Sequence, residues 1–310
     1  WARERPGKGA ISMPEGISRD FWSGRKVFVT GHTGFFGGWL CAWLQKMGAD
    51  VTGYSLAPST DPSFFEAVGV GSRMRSTIGD IRDADRLRDA LTQSQAEVVF
   101  HLAAQPLVRF ARAEPVETFD VNVMGTVNLL QAMRSTPSIR AAAIVTTDKV
   151  YENVEWHWGY REGDRLGGRE PYGASKSCAE IAVDAYRHSY FATGARPMGI
   201  ATIRAGNIIG GGDWAADRLI PDAIRAFTAN IPLVIRNPGA VRPWQHVLDA
   251  VRGVLMMGER LAGAPAQWSG PWNLGPPEND AYPVAHIADM VVRLWGSGAQ
   301  WRHEAATSPQ

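Results

Sequence analysis

The sequence predicts an α/β fold in which a doubly wound parallel sheet carries a smaller, partly interleaved lobe towards its carboxyl end. Short β-rich apolar runs alternate with longer stretches in which apolar residues recur every three or four positions, a pattern typical of parallel strands joined by helices. After Gly206 this alternation gives way to segments rich in Gly, Pro and Trp around shorter elements. The change of texture indicates a second, less regular lobe.

Six apolar runs are predicted to be the strands of the sheet, and four stretches of helical period lie between them. The strands are Lys26–Thr30, Asp50–Tyr54, Met74–Ile78, Val98–Leu102, Ala142–Thr146 and Gly199–Ala205. The helices are Gly37–Met47, Ala84–Gln93, Val116–Met133 and Tyr172–Ala192. Open sheets of this kind bind ligands at the carboxyl ends of their strands, so we expect a functional site there.

Composition excludes several classes of protein. The chain of 310 residues has 32 basic and 31 acidic residues and a net charge of +1, so no overall field recruits nucleic acid or an anionic membrane. No apolar run approaches the ~20 residues that span a bilayer, and we expect a cytoplasmic protein. Cys41 and Cys178 lie in helix-like stretches without paired ligand spacing, which argues against a disulfide framework or a metal site and predicts that both are buried.

A glycine-rich loop follows the first predicted strand directly. Its sequence is Gly31-His-Thr-Gly34-Phe-Phe-Gly37, and a helical stretch follows it. Glycine permits a tight turn and a close approach of the backbone to a pyrophosphate, while free amides at the helix start meet the anion. A plain strand-to-helix turn is the alternative, but the strand–loop–helix context favours a dinucleotide site of the Rossmann type. Its predicted ligands are Gly31, Thr33, Gly34, Phe35, Phe36 and Gly37.

The second and third strands should meet the adenosine half of such a cofactor. An acidic residue commonly ends the second strand and binds the ribose, but here that position holds Ser55. This leaves NAD and NADP both open, although the lack of a nearby Lys or Arg after Ser55 favours NAD. Asp80, after the third strand, is predicted either to meet the adenine edge or to cap the helix that starts at Ala84.

The chain divides on these grounds into three parts. Residues 1–20 are expected to be a disordered or non-native extension, because the first twelve show no periodic pattern and Met13 is a plausible start. Residues 21–205 form the dinucleotide-binding domain, to which 240–262 return. Residues 206–310 form the smaller substrate lobe.

The sequence Tyr172-Gly-Ala-Ser-Lys176 places a tyrosine and a lysine one helical turn apart on the same face. An ammonium about 4 Å from a phenol, at an effective dielectric of ~20, favours phenolate by about 4 kcal/mol, or roughly three pKa units. We therefore expect Lys176 to lower the pKa of Tyr172 so that the phenolate acts as a base. The alternative is an amphipathic helix whose Tyr and Lys face solvent.

The fifth predicted strand ends in Thr146-Thr147-Asp148-Lys149, at the ligand-binding edge of the sheet. Thr147 is a candidate to hydrogen-bond the hydroxyl that Tyr172 deprotonates. Asp148 and Lys149 are candidates for a proton-transfer pair, against the alternative of an exposed ion pair in a strand-end turn. We expect the two to titrate as a coupled pair, with a protonated acid beside a neutral amine.

Several segments go beyond these general patterns. They are Phe21-Trp22, Gly31–Leu40, Ala103–Arg109, Asn122–Thr126, Asp148-Lys149, Glu155–Glu162, Arg204–Asn207, Gly212-Asp213-Trp214 and Arg242–His246. In these segments, from Phe21 to about Trp301, the chain resembles the CDP-glucose 4,6-dehydratases, which belong to the extended short-chain dehydrogenases.

The resemblance implies an NAD-dependent lyase that converts CDP-glucose to CDP-4-keto-6-deoxyglucose, acts without nucleic acid or membrane partners, and forms a homodimer. It implies that Tyr172 takes the 4-hydroxyl proton, that Asp148 protonates the departing 6-hydroxyl, and that Lys149 serves carbon 5 as a base or as a stabilising charge. Further cofactor contacts are implied for Ile81, Leu102, Ala103, Ala104 and Gln105. Substrate contacts are implied for Gln105, Arg109, Arg204, Asn207, Arg242 and His246, with the Trp156–Tyr160 loop either covering the sugar or only packing.

Two departures from the family pattern bear on these expectations. Phe36 stands where many members carry Lys, and the chain stops near Trp301 although relatives continue, so we expect the substrate lobe to be incomplete at its carboxyl end. A 4-epimerase, a 5-inverting UDP-N-acetylglucosamine dehydratase and a non-catalytic NAD-binding protein remain alternatives. The product at carbon 6 separates the first two from a 4,6-dehydratase.

Overall fold

The computed structural model describes residues 16–193, 197–277, 280–296 and 298–304. Its strands are β1 (Lys26–Thr30), β2 (Asp50–Ser55), β3 (Arg75–Ile78), β4 (Val98–His101), β5 (Ala141–Val145), β6 (Gly199–Ala205), β7 (Asn207–Ile209), β8 (Leu233–Ile235), β9 (Val241–His246), β10 (Gly270–Leu274), β11 (Ala281–Pro283) and β12 (Trp301–His303). Its helices are α1 (Arg19–Trp22), α2 (Phe35–Lys46), α3 (Phe64–Ala67), α4 (Ala84–Ser94), α5 (Val108–Ala113), α6 (Pro115–Phe119), α7 (Gly125–Arg134), α8 (Pro171–Tyr186), α9 (Leu219–Thr228), α10 (Val247–Gly263), α11 (Pro265–Trp268) and α12 (Val284–Trp295).

A seven-stranded parallel sheet in the order β10-β6-β5-β4-β1-β2-β3 forms the centre of the fold. The order reverses direction between β1 and β4, which makes the sheet doubly wound and opens a crevice at the carboxyl ends of those strands. The predicted fold class is confirmed.

Alternation along the central strands explains why helices cover both faces of the sheet. In β1, Val27 and Val29 point to a core shared with α2 and α10, whereas Phe28 points to a core shared with α4, α7 and α8. All three side chains are almost fully buried. Strands buried on both faces are expected in a parallel sheet whose crossovers are helices.

The region after residue 206 contributes to both lobes. Strands β7, β9 and β11 form one small sheet and β8 pairs with β12, around a separate core that includes Phe227, Leu233 and Ile235. Helix α10 packs on the large sheet, and β10 joins that sheet as a seventh strand, which the sequence patterns did not predict. The exact domain limits stay a prediction.

Three other expectations differ from the structure or fall outside it in part. The predicted helix over Val116–Met133 is interrupted by a π-helical turn at Asp120–Met124. Residues 1–15 lie outside the described residues, but Arg19 and Asp20 belong to α1, so the expectation of disorder is wrong for them. Cys41 is buried as predicted, whereas Cys178 is exposed. Within the described ranges, no helix has the length and apolarity needed to cross a bilayer.

Candidate active site

A cleft of about 1230 Å³ lies at the carboxyl ends of the sheet strands, between the sheet and the smaller lobe. Most residues predicted for the site line it. They are Gly31, Thr33, Gly34, Phe35, Phe36, Gly37, Ser55, Asp80, Ile81, Leu102, Ala103, Ala104, Arg109, Thr147, Asp148, Lys149, Tyr172, Lys176, Asn207 and Arg242. The fold therefore brings together residues that are up to about two hundred positions apart in sequence.

The glycine loop forms a cradle at one end of the cleft. Gly31 has a φ of 75°, and a Cβ at this position would lie 2.7 Å from the backbone nitrogen of Ala103. A Cβ on Gly37 would lie 2.1 Å from the carbonyl oxygen of Gly31. Helix α2 starts at Phe35 after Gly34, which supplies no side-chain cap. Closely packed glycine backbone before an uncapped helix start fits the diphosphate of a dinucleotide.

The residues beyond the cradle are held by hydrogen bonds. The Thr33 hydroxyl donates to the carbonyl oxygen of Leu56 at 2.8 Å and lies 2.9 Å from the Ser55 hydroxyl, which ends β2. Asp80 pairs with Arg82 at 2.6 Å, and hydrogen bonds from Arg82 lower the pKa of its carboxyl. Asp83, not Asp80, caps α4, so the capping interpretation of Asp80 is wrong.

Tyr172 and Lys176 lie on the first two turns of α8, which begins at Pro171. The Glu170 carboxylate caps this helix by accepting from the backbone N–H of Tyr172 and of Gly173, both at 2.8 Å. The Lys176 ammonium is buried and donates to the carbonyl oxygen of Val145 at 3.1 Å. Helix α8 thus directs both side chains to the end of β5.

The pKa of the Tyr172 phenol departs from the sequence-based expectation. Burial raises it to about 12, against the smaller lowering effects of a hydrogen bond with Thr147 and the charge of Arg218. Burial also lowers the pKa of Lys176 to about 8, and the charge of Glu180 opposes that shift. The expected lowering is absent because the penalty for burying the charged phenolate outweighs the effects that stabilise it.

Asp148 and Lys149 stand in a short 3₁₀ turn after β5, with opposite shifts in pKa. Burial raises the pKa of Asp148, although a hydrogen bond from Thr147 at 3.1 Å opposes the change. Removal from bulk water lowers the pKa of Lys149, whereas the charges of Glu170 and Asp148 raise it. Lys149 remains exposed at the cleft wall, so solvent limits its shift. Each shift favours the neutral form of its group.

Several cationic side chains also line the cleft. Arg109 pairs with Asp217 at 2.9 Å, and Asn207 and Arg242 lie on β7 and β9. Sequence reasoning missed three further arginines that line the cleft: Arg112 on α5, Arg218, which is 3.6 Å from Asp213, and Arg236, which is 3.1 Å from Asp217. The last two come from the irregular second lobe, where no periodicity indicates which residues face the cleft.

Three predicted ligands do not line the cleft, and their roles in binding stay predictions. The Gln105 side-chain amide donates to Thr118 at 2.9 Å and holds its own loop. His246 is exposed and caps α10. Arg204 is buried and pairs with Glu180 at 2.9 Å. The local sequence of each residue cannot reveal these tertiary partners.

The Trp156–Tyr160 loop also lies outside the cleft wall. Trp156 and Trp158 are 40% and 56% exposed, and their ring centroids are 5.2 Å apart. Tyr160 stacks on Tyr151 at 5.0 Å and anchors the end of the loop beside the site. In this arrangement the tryptophans pack on each other and do not cover the cleft.

Comparisons with known proteins give consistent matches. Residues 27–275 match the model of the NAD dependent epimerase/dehydratase family. A CDP-glucose 4,6-dehydratase of Salmonella typhimurium is 49% identical over 94% of this chain and 82% of its own length. A dTDP-glucose 4,6-dehydratase of Streptomyces griseus is 30% identical over 74% of this chain and 68% of its own length. The solved structure of MoeE5 in complex with UDP-glucuronic acid and NAD superposes with a TM-score of 0.75 and 26% identity, covering 91% of this chain and 86% of that one.

Proposed function

Because the chain belongs to the NAD dependent epimerase/dehydratase family, we propose that it is a CDP-glucose 4,6-dehydratase that forms CDP-4-keto-6-deoxyglucose. The observation that carries this proposal is the position of Asp148 and Lys149, an acid and an amine that both favour their neutral forms, in the cleft that Tyr172 lines. The 49% identity to the Salmonella enzyme supports the choice of the cytidine nucleotide.

The glycine cradle at Gly31, Gly34 and Gly37 would hold the diphosphate of NAD, with Ser55 and Asp80 beside its adenosine half. The cradle fits because a side chain on Gly31 or Gly37 would collide with backbone atoms at 2.7 and 2.1 Å. NAD would accept a hydride from carbon 4 of the sugar and return it to carbon 6. Ser55 carries no charge that would attract the extra phosphate of NADP, which supports NAD.

Tyr172 removes the proton of the sugar 4-hydroxyl in this proposal, and Thr147 hydrogen-bonds the same oxygen. Since the pKa of the Tyr172 phenol is about 12, positive charge must lie near the phenolate for it to act at neutral pH. Lys176, one helical turn away, supplies that charge when it is protonated.

Asp148 and Lys149 carry out the loss of water. Once carbon 4 is a ketone, the proton on carbon 5 becomes acidic, and neutral Lys149 accepts it. Asp148, whose pKa is raised by burial, would give its proton to the departing 6-hydroxyl. The rival role for Lys149 is that of a charged group that stabilises the enolate.

Arginines of the cleft lining would bind the nucleotide diphosphate. Arg109, Arg242 and Asn207 line the cleft, and planar guanidinium groups suit phosphate oxygens. Arg218 and Arg236 add to the positive charge, while Asp213 and Asp217 hold three of these arginines in place.

A panel of CDP-, dTDP-, UDP- and GDP-glucose tests the proposal. We expect the purified protein with NAD to convert CDP-glucose to a 4-keto-6-deoxy product at a kcat/KM at least tenfold above the other nucleotides. Tyr172→Phe is the inactive control. A product with its 6-hydroxyl intact and carbon 4 inverted would identify a 4-epimerase, and the absence of turnover on all four substrates would contradict an enzymatic role.

We also propose a homodimer, formed along α6 and α8. These helices pack against each other, and Val116 and Ile181 on them are 82% and 59% exposed. Exposed apolar side chains on neighbouring helices suit an interface. Analytical ultracentrifugation should give a species of twice the mass of the chain, and Ile181→Glu should reduce that mass to the mass of a single chain. The expected cytoplasmic location stays a prediction.

A further inference from the structure

We propose that Glu180 is a positioning residue of the reaction, whose carboxylate keeps Lys176 charged and, with Arg204, fixes the catalytic helix to the strand ends. The inference rests on the proposed function for its role in turnover, but its central measurement does not require a substrate. Four observations on α8 and its neighbours support it.

Glu180 lies one helical turn beyond Lys176 on α8. Residues four apart on a helix share a face, with Cβ atoms about 5–6 Å apart. The side chain of Glu180 is 3% exposed, so its charge acts on its neighbours with little screening by water. Tyr172, Lys176 and Glu180 therefore form one row, in which a phenol, a cation and an anion follow each other at single-turn intervals.

The Glu180 carboxylate is fully bound by hydrogen bonds. One oxygen accepts from the Thr146 hydroxyl at 2.6 Å, and the other accepts from the Thr202 hydroxyl at 2.7 Å and from Arg204 at 2.9 Å. Three donors stabilise the ionised form of a carboxylate. The donors come from the ends of β5 and β6, so the carboxylate joins α8 to the edge of the sheet that forms the cleft.

Lys176 depends on this carboxylate for its charge. Burial lowers the pKa of Lys176, and the charge of Glu180 opposes that shift. Among the described residues, the titratable groups near Lys176 and Glu180 include Tyr172 and the exposed Asp184 on α8, His101 on β4 and Arg204 on β6. His101 is neutral because its pKa is lowered to about 3, and Arg204 is cationic, so neither supplies negative charge.

Arg204 extends the network to the segment beyond the catalytic turn. Its guanidinium donates to the Tyr151 hydroxyl at 2.9 Å and to the carbonyl oxygen of Glu162 at 3.0 Å. Tyr151 donates to Asn273 at 2.6 Å, and Asn273 donates to the carbonyl oxygen of Tyr160 at 2.7 Å. The Glu180–Arg204 pair thus fixes α8, β10 and the chain at 160–162 in one arrangement.

The decisive experiment is a direct titration of Lys176 by NMR of ¹³C-labelled lysine, with Lys176→Met to assign the signal. In the unaltered protein the pKa should be about 8. Glu180→Gln keeps the shape of the side chain but removes its charge. At a separation of about 6 Å and an effective dielectric of ~20, the pKa of Lys176 should fall by about two units.

Turnover supplies the second readout. With Glu180→Gln, the alkaline limb of the kcat profile should move to lower pH by the same amount, so that kcat at pH 7 falls about tenfold while KM for CDP-glucose is little changed. Thr202→Val is the matched control, since it removes one hydrogen bond to the same carboxylate but no charge. Thr202→Val should leave the alkaline limb of the kcat profile at its original pH.

An unchanged Lys176 titration in Glu180→Gln would overturn the proposal and leave Glu180 a purely structural residue. An equal shift in Thr202→Val would also overturn it. If Glu180→Gln does not fold, the double variant Glu180→Gln/Arg204→Met, which leaves no buried charge unpaired, takes the same measurement. Failure of the nucleotide-sugar panel with a shifted Lys176 titration would reject the proposed substrate and not the role of Glu180.

Discussion

Two pairs, each of one acidic and one basic residue, lie on or beside helix α8, and they differ in their access to solvent. Asp148 and Lys149 line the cleft, where Lys149 is exposed. Glu180 and Arg204 have side chains only 3% exposed and a separation of 2.9 Å. A group that exchanges protons with a ligand must lie in an open cleft, as Asp148 and Lys149 do. A buried ion pair such as Glu180 and Arg204, called the sealed pair below, has no route for a proton. A sealed pair instead fixes charge and geometry, since neutralising one partner would leave the other as an unpaired buried charge, at a large cost in free energy.

Replacing the basic residue of each pair by methionine separates these roles. Lys149→Met should suppress solvent-deuterium exchange at carbon 5 and the loss of water by about 10²–10⁴-fold, the usual contribution of a general acid or base. Oxidation at carbon 4 should be largely preserved, and urea unfolding should change by less than about 0.5 kcal/mol. Mass spectrometry in D₂O measures the exchange. Dehydration at the parent rate would make Lys149 an ordinary strand-end charge.

Arg204→Met, in contrast to Lys149→Met, should act mainly on the stability of the fold. Because it leaves the Glu180 carboxylate buried and unpaired, we expect the free energy of unfolding to fall by about 3–5 kcal/mol. Urea denaturation at pH 7 measures the loss. The double variant Arg204→Met/Glu180→Met should recover most of the stability but not the charge of Lys176. A loss as small as that of Lys149→Met would show that the two pairs do not differ in the way proposed.

The sequence predicted the place of Asp148 and Lys149 but gave no sign that Arg204 pairs with Glu180, and the reason is physical. Asp148 and Lys149 follow a continuous apolar strand, so their place at the sheet edge follows from local pattern. Arg204 also ends a strand, but its burial depends on Glu180, which is 24 positions away on another element. Strand β10 was missed for a similar reason, since Gly270-Pro-Trp-Asn-Leu274 has no strand alternation and is placed by its pairing with β6.

Acid should lower the stability of the fold through protonation of His101, which is buried on β4. The Thr30 hydroxyl accepts from the amides of Leu102 and Ala103, so it donates to Nδ1 of His101 at 2.7 Å, and Nε2–H then donates to Thr126 at 3.0 Å. Burial lowers the pKa of His101 to about 3 from 6.5. Since the folded-state pKa lies below that of the unfolded chain, this contribution to stability is complete above pH 6.5 and is lost as pH falls towards 3.

Between pH 6.5 and 5 the loss should be about 2 kcal/mol, from 1.36 kcal/mol per pKa unit. His101→Gln, which cannot titrate, should remove that slope. Urea unfolding of both proteins at the two pH values measures it. Parallel slopes for the two proteins would show that His101 is not the group responsible.

The smallest change in free energy is expected at the end of the cleft predicted to bind the adenosine half of the cofactor. There, a charge added at Ser55 should change the choice of cofactor without changing the fold. Ser55 ends β2 and its hydroxyl lies 2.9 Å from that of Thr33. A carboxylate there would accept from the ribose hydroxyls of NAD and repel the 2′-phosphate of NADP. Ser55→Asp should therefore lower NADP affinity about tenfold, or about 1.4 kcal/mol, while NAD affinity is kept or improved.

Isothermal titration of both cofactors measures the ratio of the two affinities, with Ser55→Ala as the control that removes the hydroxyl but adds no charge. Tighter binding of NADP than of NAD by the unaltered protein would contradict the assignment of NAD. Equal loss of both cofactors in Ser55→Asp would mean that the residue positions Thr33 and does not face the ribose.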